Sequence, residues 1–221
     1  MKADFWHQRW QRNQIGFHQR EINTHLQAFW DRLDLAAGCP VFVPLCGKSR
    51  DLLWLRSRGH RVLGVELSPI ATRAFFDENR LEPVTHTPAG PFERFEMDGI
   101  TILCGDFFRL TADRLEGVCG VYDRASLVAL PPPMRPDYAR HLGAILPPDA
   151  CLLLVTMEYP QQQMQGPPFS VGEAEVRQLF GDRFLIEPLY RQEILDENPR
   201  FRDKGLTALE EKVYRLSPPP A

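Results

Sequence analysis

Apolar residues along this chain follow two spacings. Unbroken, β-branched-rich runs occur at Val41-Phe42-Val43, Arg61–Glu66, Ile100–Cys104, Gly117–Tyr122 and Cys151–Thr156, and these read as buried strands. The segments between several of them space apolar residues by three or four, which predicts helices over Ser49–Arg58, from Ser68 to about Leu81, and over Pro136–Leu146. Ser68-Pro69 is a strong helix start, with Ser as N-cap and Pro at the first helical position. Gly59-His60 stops the helix before it. Strand, helix and strand in this order make βαβ units. Phe92–Met97 meets Ile100–Cys104 across Asp98-Gly99, the signature of a two-residue hairpin. Ser170-Val171-Gly172-Glu173 reads as a capping box opening a helix to Phe180. Phe184–Ile194 and Leu206–Leu216 read as the last two strands, joined by a polar, Arg-rich loop without a helical pattern, and so are expected to pair antiparallel. Residues 3–35 read as two helical pieces lying before the first strand, an extension added to the sheet. The proline-rich tail, Ser217–Ala221, is expected to fray.

In doubly wound sheets ligands bind at the carboxyl ends of the parallel strands. The first strand ends in Pro44-Leu45-Cys46-Gly47-Lys48 and the second in Glu66, an acid placed to accept hydrogen bonds from a ribose diol. A nucleoside is therefore expected, and three kinds are weighed. A P-loop needs a glycine where Phe42 stands, and a bulky residue there forbids the phosphate nest. A dinucleotide needs G-x-G-x-x-G, whereas this loop has one glycine and a proline without an N–H. S-adenosylmethionine carries a ribose and a sulfonium but no phosphate, and one glycine suffices for its close approach. An acid after strand two and a closing antiparallel pair favour this third ligand.

Composition narrows the partners. The chain has 221 residues, 43% hydrophobic and 25% charged, ordinary for one globular domain, and its net charge of −3 argues against a broad nucleic-acid face. No apolar run approaches the ~20 residues a membrane span needs. The start of the chain lacks an apolar signal core, so a cytoplasmic location is expected. The five cysteines form no C-x-x-C pair, so neither a zinc site nor a disulfide framework is expected. Cys46 reads as packing rather than as a nucleophile, because no base is close in sequence. Lys48 is open between a cofactor carboxylate and solvent.

Several strings are specific enough to carry a resemblance: Phe5-Trp6-x-x-Arg9-Trp10, Gly16-Phe17-His18-Gln19, Pro44-Leu45-Cys46-Gly47-Lys48, Gly59-His60 and Val65-Glu66-Leu67-Ser68. Further along stand Asp123-Arg124-Ala125-Ser126-Leu127-Val128-Ala129-Leu130, Gly166-Pro167-Pro168-Phe169 and Glu211-Lys212-Val213-Tyr214. In this order, over nearly the whole chain, they resemble the thiopurine S-methyltransferase family, bacterial type. The resemblance implies an α/β class I methyltransferase (Rossmann-like) fold: a seven-stranded, mostly parallel sheet with an antiparallel last strand. Residues 1–221 would form one domain, with residues 1–38 as an N-terminal helical lid. It implies S-adenosyl-L-methionine as cofactor and methyl transfer to the sulfur of aromatic or heterocyclic thiols, with selenium and tellurium species as further acceptors and detoxification as a role.

By the same resemblance Trp10, Leu45, Glu66 and Arg124 contact the cofactor, with Trp6 and the Gly105-Asp106 turn nearby. Phe17 and Arg200 are the expected substrate-side residues, Arg202 being the neighbouring alternative. No residue is assigned as an acid or base, and no metal is expected. Arg124 is expected to position or polarise the acceptor. The expected partner is a small-molecule thiol or metalloid acceptor, not nucleic acid or membrane, and a monomer is expected. A non-catalytic binder of the same cofactor, or a methyltransferase for another small molecule, is the competing reading. Glu66→Ala is expected to weaken cofactor binding and leave the fold intact.

Overall fold

The computed structural model describes residues 3–82 and 84–219; the last two residues of the proline-rich tail lie outside them. The extension folds as α1 (Ala3–Gln11) and α2 (Thr24–Phe29), the latter followed by a 3-10 turn at Trp30–Leu33. Asn23 caps α2, its side-chain oxygen accepting from the His25 and Leu26 N–H groups. Then come β1 (Val41–Val43), α3 (Asp51–Ser57), β2 (Val62–Glu66) and α4 (Pro69–Glu78). Ser68 Oγ caps α4 as its sequence predicts, although the helix stops at Glu78 rather than Leu81.

The next segment holds β3 (Thr85–Ala89), β4 (Phe92–Met97) and β5 (Ile100–Cys104). Asp98 and Gly99 both take left-handed φ, 47° and 74°, and Met97 pairs with Ile100, so the hairpin is the two-residue kind that Asp-Gly dictates. The chain continues through β6 (Gly120–Arg124), α5 (Arg135–Ile145), β7 (Cys151–Glu158), α6 (Glu173–Phe180), β8 (Leu185–Glu193), α7 (Pro199–Arg202) and β9 (Glu210–Ser217).

All strands join one sheet in the order β3-β4-β5-β2-β1-β6-β7-β9-β8. From β5 to β8 this is the expected seven-stranded sheet, with the last strand, β9, antiparallel between β7 and β8. Two strands exceed the expectation. β4 was legible as the arm of the hairpin. β3 was not, because Thr85-His86-Thr87-Pro88-Ala89 is an exposed edge strand with no apolar face to reveal it. The sheet packs on both sides. Val41, Val43, Leu52, Phe75, Tyr122 and Val213 share one layer with Leu26 and Trp30 of the extension. Phe42, Val121, Leu142, Leu154 and Val176 belong to the layer of α5 and α6.

Three further expectations are corrected. Gly172, not Ser170, caps α6; Ser170 Oγ instead accepts from the Tyr159 N–H at 3.0 Å. The loop between the last strands contains the one-turn helix α7, started by Pro199 at its first position. Cys39 and Cys119 form a disulfide, with Cα atoms 6.2 Å apart across a separation of 80 residues. Each stands just before the start of a strand, β1 and β6, and those strands are parallel neighbours, which brings the two thiols together.

Candidate functional site

The carboxyl ends of β2, β1, β6 and β7, and the entry to β9, open onto one cavity of about 680 Å³. Its residues follow the strand order: Glu66 on β2, Leu45 to Ser49 after β1, Arg124 on β6, Met157 on β7 and Glu211 on β9. Neighbouring strands lie ~4.8 Å apart, so the four steps from Glu66 to Glu211 span roughly 19 Å, with Arg124 midway. The extension covers this row with Trp6, Trp10, Phe17 and His18.

Glu66 is 6% exposed. Its Oε2 accepts from the Gly47 N–H at 2.8 Å and its Oε1 from the Ser68 N–H at 2.7 Å. A carboxylate offers about four acceptor sites, so acceptor capacity remains on Glu66 for ribose hydroxyls. Burial pushes the Glu66 carboxyl up to about 7, against the pull of these backbone N–H groups. The loop after β1 is tight: Leu45 has φ 48° and Gly47 φ 56°. For leucine that is a costly conformation, held here because Ser126 Oγ donates to the Pro44 carbonyl at 2.7 Å and Cys46 N–H to the Val65 carbonyl at 2.9 Å. The Gly47 amide, which a phosphate loop would aim at its ligand, is turned onto the protein's own carboxylate.

Cys46 packs as its sequence position suggests. Its Sγ lies where a Cβ on Gly64 would fall, 2.7 Å away, and burial with nearby Glu66 pushes its thiol well above the ordinary range. It stays a protonated, apolar filler. Lys48 pairs with Glu78, at 2.6 and 2.9 Å, rather than standing free in solvent. Burial, and then Lys48, pull His18 below the usual imidazole value, so its ring is neutral at pH 7.

Two arginines hold the extension. Arg124 donates to the Phe17 carbonyl at 3.0 Å and Arg200 to the Gly16 carbonyl at 2.8 Å. Phe17 contacts both Trp6 and Trp10 edge-on, with centroids 5.9 and 5.6 Å apart. Behind Arg124, Asp123 is fully buried, accepting from Tyr138 Oη at 2.6 Å and the Leu127 N–H at 3.1 Å; burial pushes its carboxyl up to about 6.

Seven of the nine residues singled out from sequence line this cavity: Trp6, Trp10, Phe17, Leu45, Glu66, Arg124 and Arg200. Gly105 and Asp106 do not. Gly105 donates its N–H to the Glu66 backbone carbonyl at 2.8 Å, and the Asp106 side chain caps the 3-10 turn at Phe107–Arg109. Arg202 pairs with Asp196, which leaves Arg200 as the arginine of that loop lining the cavity.

A family model for thiopurine S-methyltransferase (TPMT) matches residues 1–218. The chain belongs to the thiopurine S-methyltransferase family. It is 52% identical to the thiopurine S-methyltransferase of Nitrosospira multiformis, covering 98% of both chains. It is 50% identical to that of Pseudomonas fluorescens over 98% of this chain and 99% of the relative. Among solved structures, the 1,6-didemethyltoxoflavin-N1-methyltransferase of Burkholderia thailandensis, with bound S-adenosylhomocysteine, superposes with a TM-score of 0.60 at 17% identity, over 97% of this chain and 87% of that one. The fold is that of class I methyltransferases, and the family's cofactor is S-adenosylmethionine. The residues fit it: a buried carboxylate with acceptor capacity left over suits a ribose, and the Gly47 amide is turned onto that carboxylate rather than toward a phosphate. Among the described residues no helix is long and apolar enough to cross a membrane.

Sequence reasoning missed Glu211 as a cavity residue. Its Oε2 accepts from His25 Nε2 at 2.7 Å. The signal was present in Glu211-Lys212-Val213-Tyr214, where a charged residue shares a strand face with Val213 of the core.

Proposed function

We propose that this protein transfers a methyl group from S-adenosylmethionine to the sulfur of aromatic or heterocyclic thiols. The observation that carries the reading is Glu66: a carboxylate fixed by two backbone amides at the end of β2, with acceptor capacity left for a ribose diol. When bound, the cofactor supplies a methyl group on a sulfonium, an electrophile whose leaving group departs as a neutral thioether. No protein acid is needed for that departure.

The chain's own residues bind, orient and exclude water. Glu66 takes the ribose hydroxyls, and Leu45 and Trp10 pack beside the nucleoside. Aromatic faces of Trp10 and Phe17 toward a sulfonium contribute about 0.5–2 kcal/mol by cation–π attraction. Arg124 and Arg200 favour an anionic thiolate over its neutral form. Of residues 1–38, the part as far as about Gln19 acts as a lid, closed by the two arginine–carbonyl bonds to Gly16 and Phe17, while Leu26, Trp30 and Leu33 stay anchored in the core. In-line placement of acceptor sulfur and methyl supplies most of the acceleration, since correct orientation alone is worth roughly 7–11 kcal/mol. Selenium and tellurium species, soft nucleophiles with the same needs, are further acceptors.

The test is transfer of labelled methyl onto thiophenol, a thiopurine, selenite and tellurite, with the methylated atom located by mass spectrometry and NMR. The expected products carry the methyl on sulfur for thiophenol and the thiopurine, and on selenium or tellurium for the two oxyanions. Tight cofactor binding with no transfer to any of the four would overturn the reading in favour of a non-catalytic binder.

A further inference from the structure

The cavity ends on β9 in a carboxylate that the reaction above does not use. We infer that Glu211, held by His25, selects the acceptor: it takes the ring N–H of a heterocyclic thione whose C=S points toward Arg124. This rests on the S-methyltransferase reading and adds to it a residue that discriminates among acceptors.

Four observations carry it. First, the two ends of the cavity are separated by the sheet itself. Glu66 on β2 and Glu211 on β9 stand four strand steps apart, and Arg124 on β6 lies between them. A cofactor gripped at Glu66 leaves the β7–β9 end for the acceptor. Second, Glu211 faces the correct side. Met157 pairs with Glu211 and Val155 with Val213 across β7 and β9, and Arg124 pairs with Val155 across β6 and β7. Paired residues share a face, so Arg124, Met157 and Glu211 project into the same space, which they line together.

Third, the carboxylate is half used. Its Oε2 accepts from His25 Nε2 at 2.7 Å, and Oε1 has no partner among the described residues. The Glu211 side chain keeps 23% of its surface while that of His25 keeps 10%. His25 is seated in turn against Tyr190, with ring centroids 4.6 Å apart, and Phe29. Its ring thus fixes one oxygen and leaves the other to the cavity. Fourth, packing does not call for the pair. The adjoining face is apolar, with Val155 and Val213 in the core, and hydrocarbon of similar volume would pack there without polar groups to satisfy.

The chemistry that fits is an N–H donor beside a thiocarbonyl. A fixed carboxylate rewards that donor with a charge-assisted hydrogen bond and repels an acceptor whose only polar group is a thiolate at that position. The arginine midway along the cavity faces the sulfur, where a thione with its ring proton held at Glu211 presents the negative end of its C=S dipole and a thiol without such a nitrogen presents a thiolate.

The experiment is calorimetric binding of pyridine-2-thione and of thiophenol, which differ in having N–H or C–H beside the carbon bearing sulfur. Both are titrated into wild type and Glu211→Leu, with S-adenosylhomocysteine present. The variant is expected to bind pyridine-2-thione roughly 10-fold or more weaker, the worth of a hydrogen bond to a charged group, and to shift its preference toward thiophenol. His25→Phe, which frees the carboxylate to rotate, should give an intermediate loss for the thione. Unchanged thione affinity in Glu211→Leu, or equal losses for both ligands, would overturn the assignment. S-adenosylhomocysteine affinity and the melting temperature report whether the variant is folded; if it is not, Glu211→Gln carries the same comparison with a smaller expected loss. Labelled methyl transfer to thiophenol by wild type tests the underlying reading separately, so failure of either is recognisable.

Discussion

The two sides of the cavity are built differently. On the sheet side, Glu66, the Leu45–Gly47 loop and Gly64 are locked by backbone hydrogen bonds and by a Cys46 side chain packed against Gly64 with no room for a methyl group. On the other side, the extension is tied down by long arginines donating to two main-chain carbonyls and by edge contacts among Trp6, Trp10 and Phe17. The first arrangement cannot move without breaking the sheet's own amide pairing. In the second, the part before Gln19 is held by one exposed and one partly buried arginine–carbonyl bond and by the aromatic contacts, without any strand pairing. On the proposed function, the rigid side grips the cofactor and the first part of the extension opens to admit it.

The sharpest way to break the rigid side is to remove its carboxylate. Glu66→Ala should weaken S-adenosylhomocysteine binding by at least about 100-fold, since two hydrogen bonds to a charge are worth ~1.5–3 kcal/mol each. The structure also revises the expectation that the fold is untouched. The same oxygens satisfy Gly47 and Ser68 N–H, so the variant's melting temperature should fall as well. Titration calorimetry and a thermal melt measure the two effects; binding reduced less than threefold would contradict the role.

Packing on the same side gives the next largest effect. Gly64→Ala places a methyl 2.7 Å from Cys46 Sγ, an overpacking that typically costs 1–3 kcal/mol. Adding Cys46→Ala should recover most of that loss in a denaturant melt. If the second change destabilises further instead, Cys46 is not the obstacle.

The elevated carboxyl of Glu66 predicts a pH dependence. Hydroxyl donors favour the ionised form, so the bound state holds the proton less tightly than the free site, whose carboxyl is raised to about 7. Cofactor affinity should then fall as pH drops below 7, approaching about tenfold per pH unit. Binding near pH 6.5 should release a proton, visible as a dependence of the heat on buffer ionisation enthalpy. Proton uptake would reverse the sign and the assignment.

The mobile side answers to the smallest change. Arg200→Ala removes one donor to Gly16, worth roughly 0.5–1.5 kcal/mol, and should speed protease cleavage within residues 1–20 in the absence of cofactor. Cofactor should restore protection in wild type more fully than in the variant. Cleavage indifferent to both would argue that the extension does not open.

Much of this was legible in the order of residues. Strand ends mark the site because parallel sheets bind ligands there, and Glu66 could be placed by counting strands alone. The hairpin and the cap of α4 followed from local chemistry at Asp98-Gly99 and Ser68-Pro69. What stayed hidden depends on the sheet's permuted order. Cys39 meets Cys119 only because β1 and β6 are neighbours. Glu211 reaches the cavity only because β9 inserts beside β7, and its partner His25 stands 186 positions away. β3 was illegible for the opposite reason, as a polar edge with nothing to bury.

A crystal structure of the protein with S-adenosylhomocysteine tests the central claim most directly. Both ribose hydroxyls should donate to Glu66, with the thioether sulfur directed along the sheet edge toward Arg124 and away from Glu66. A ribose seated beyond hydrogen-bond reach of that carboxylate, or a thioether directed away from β6, would contradict it.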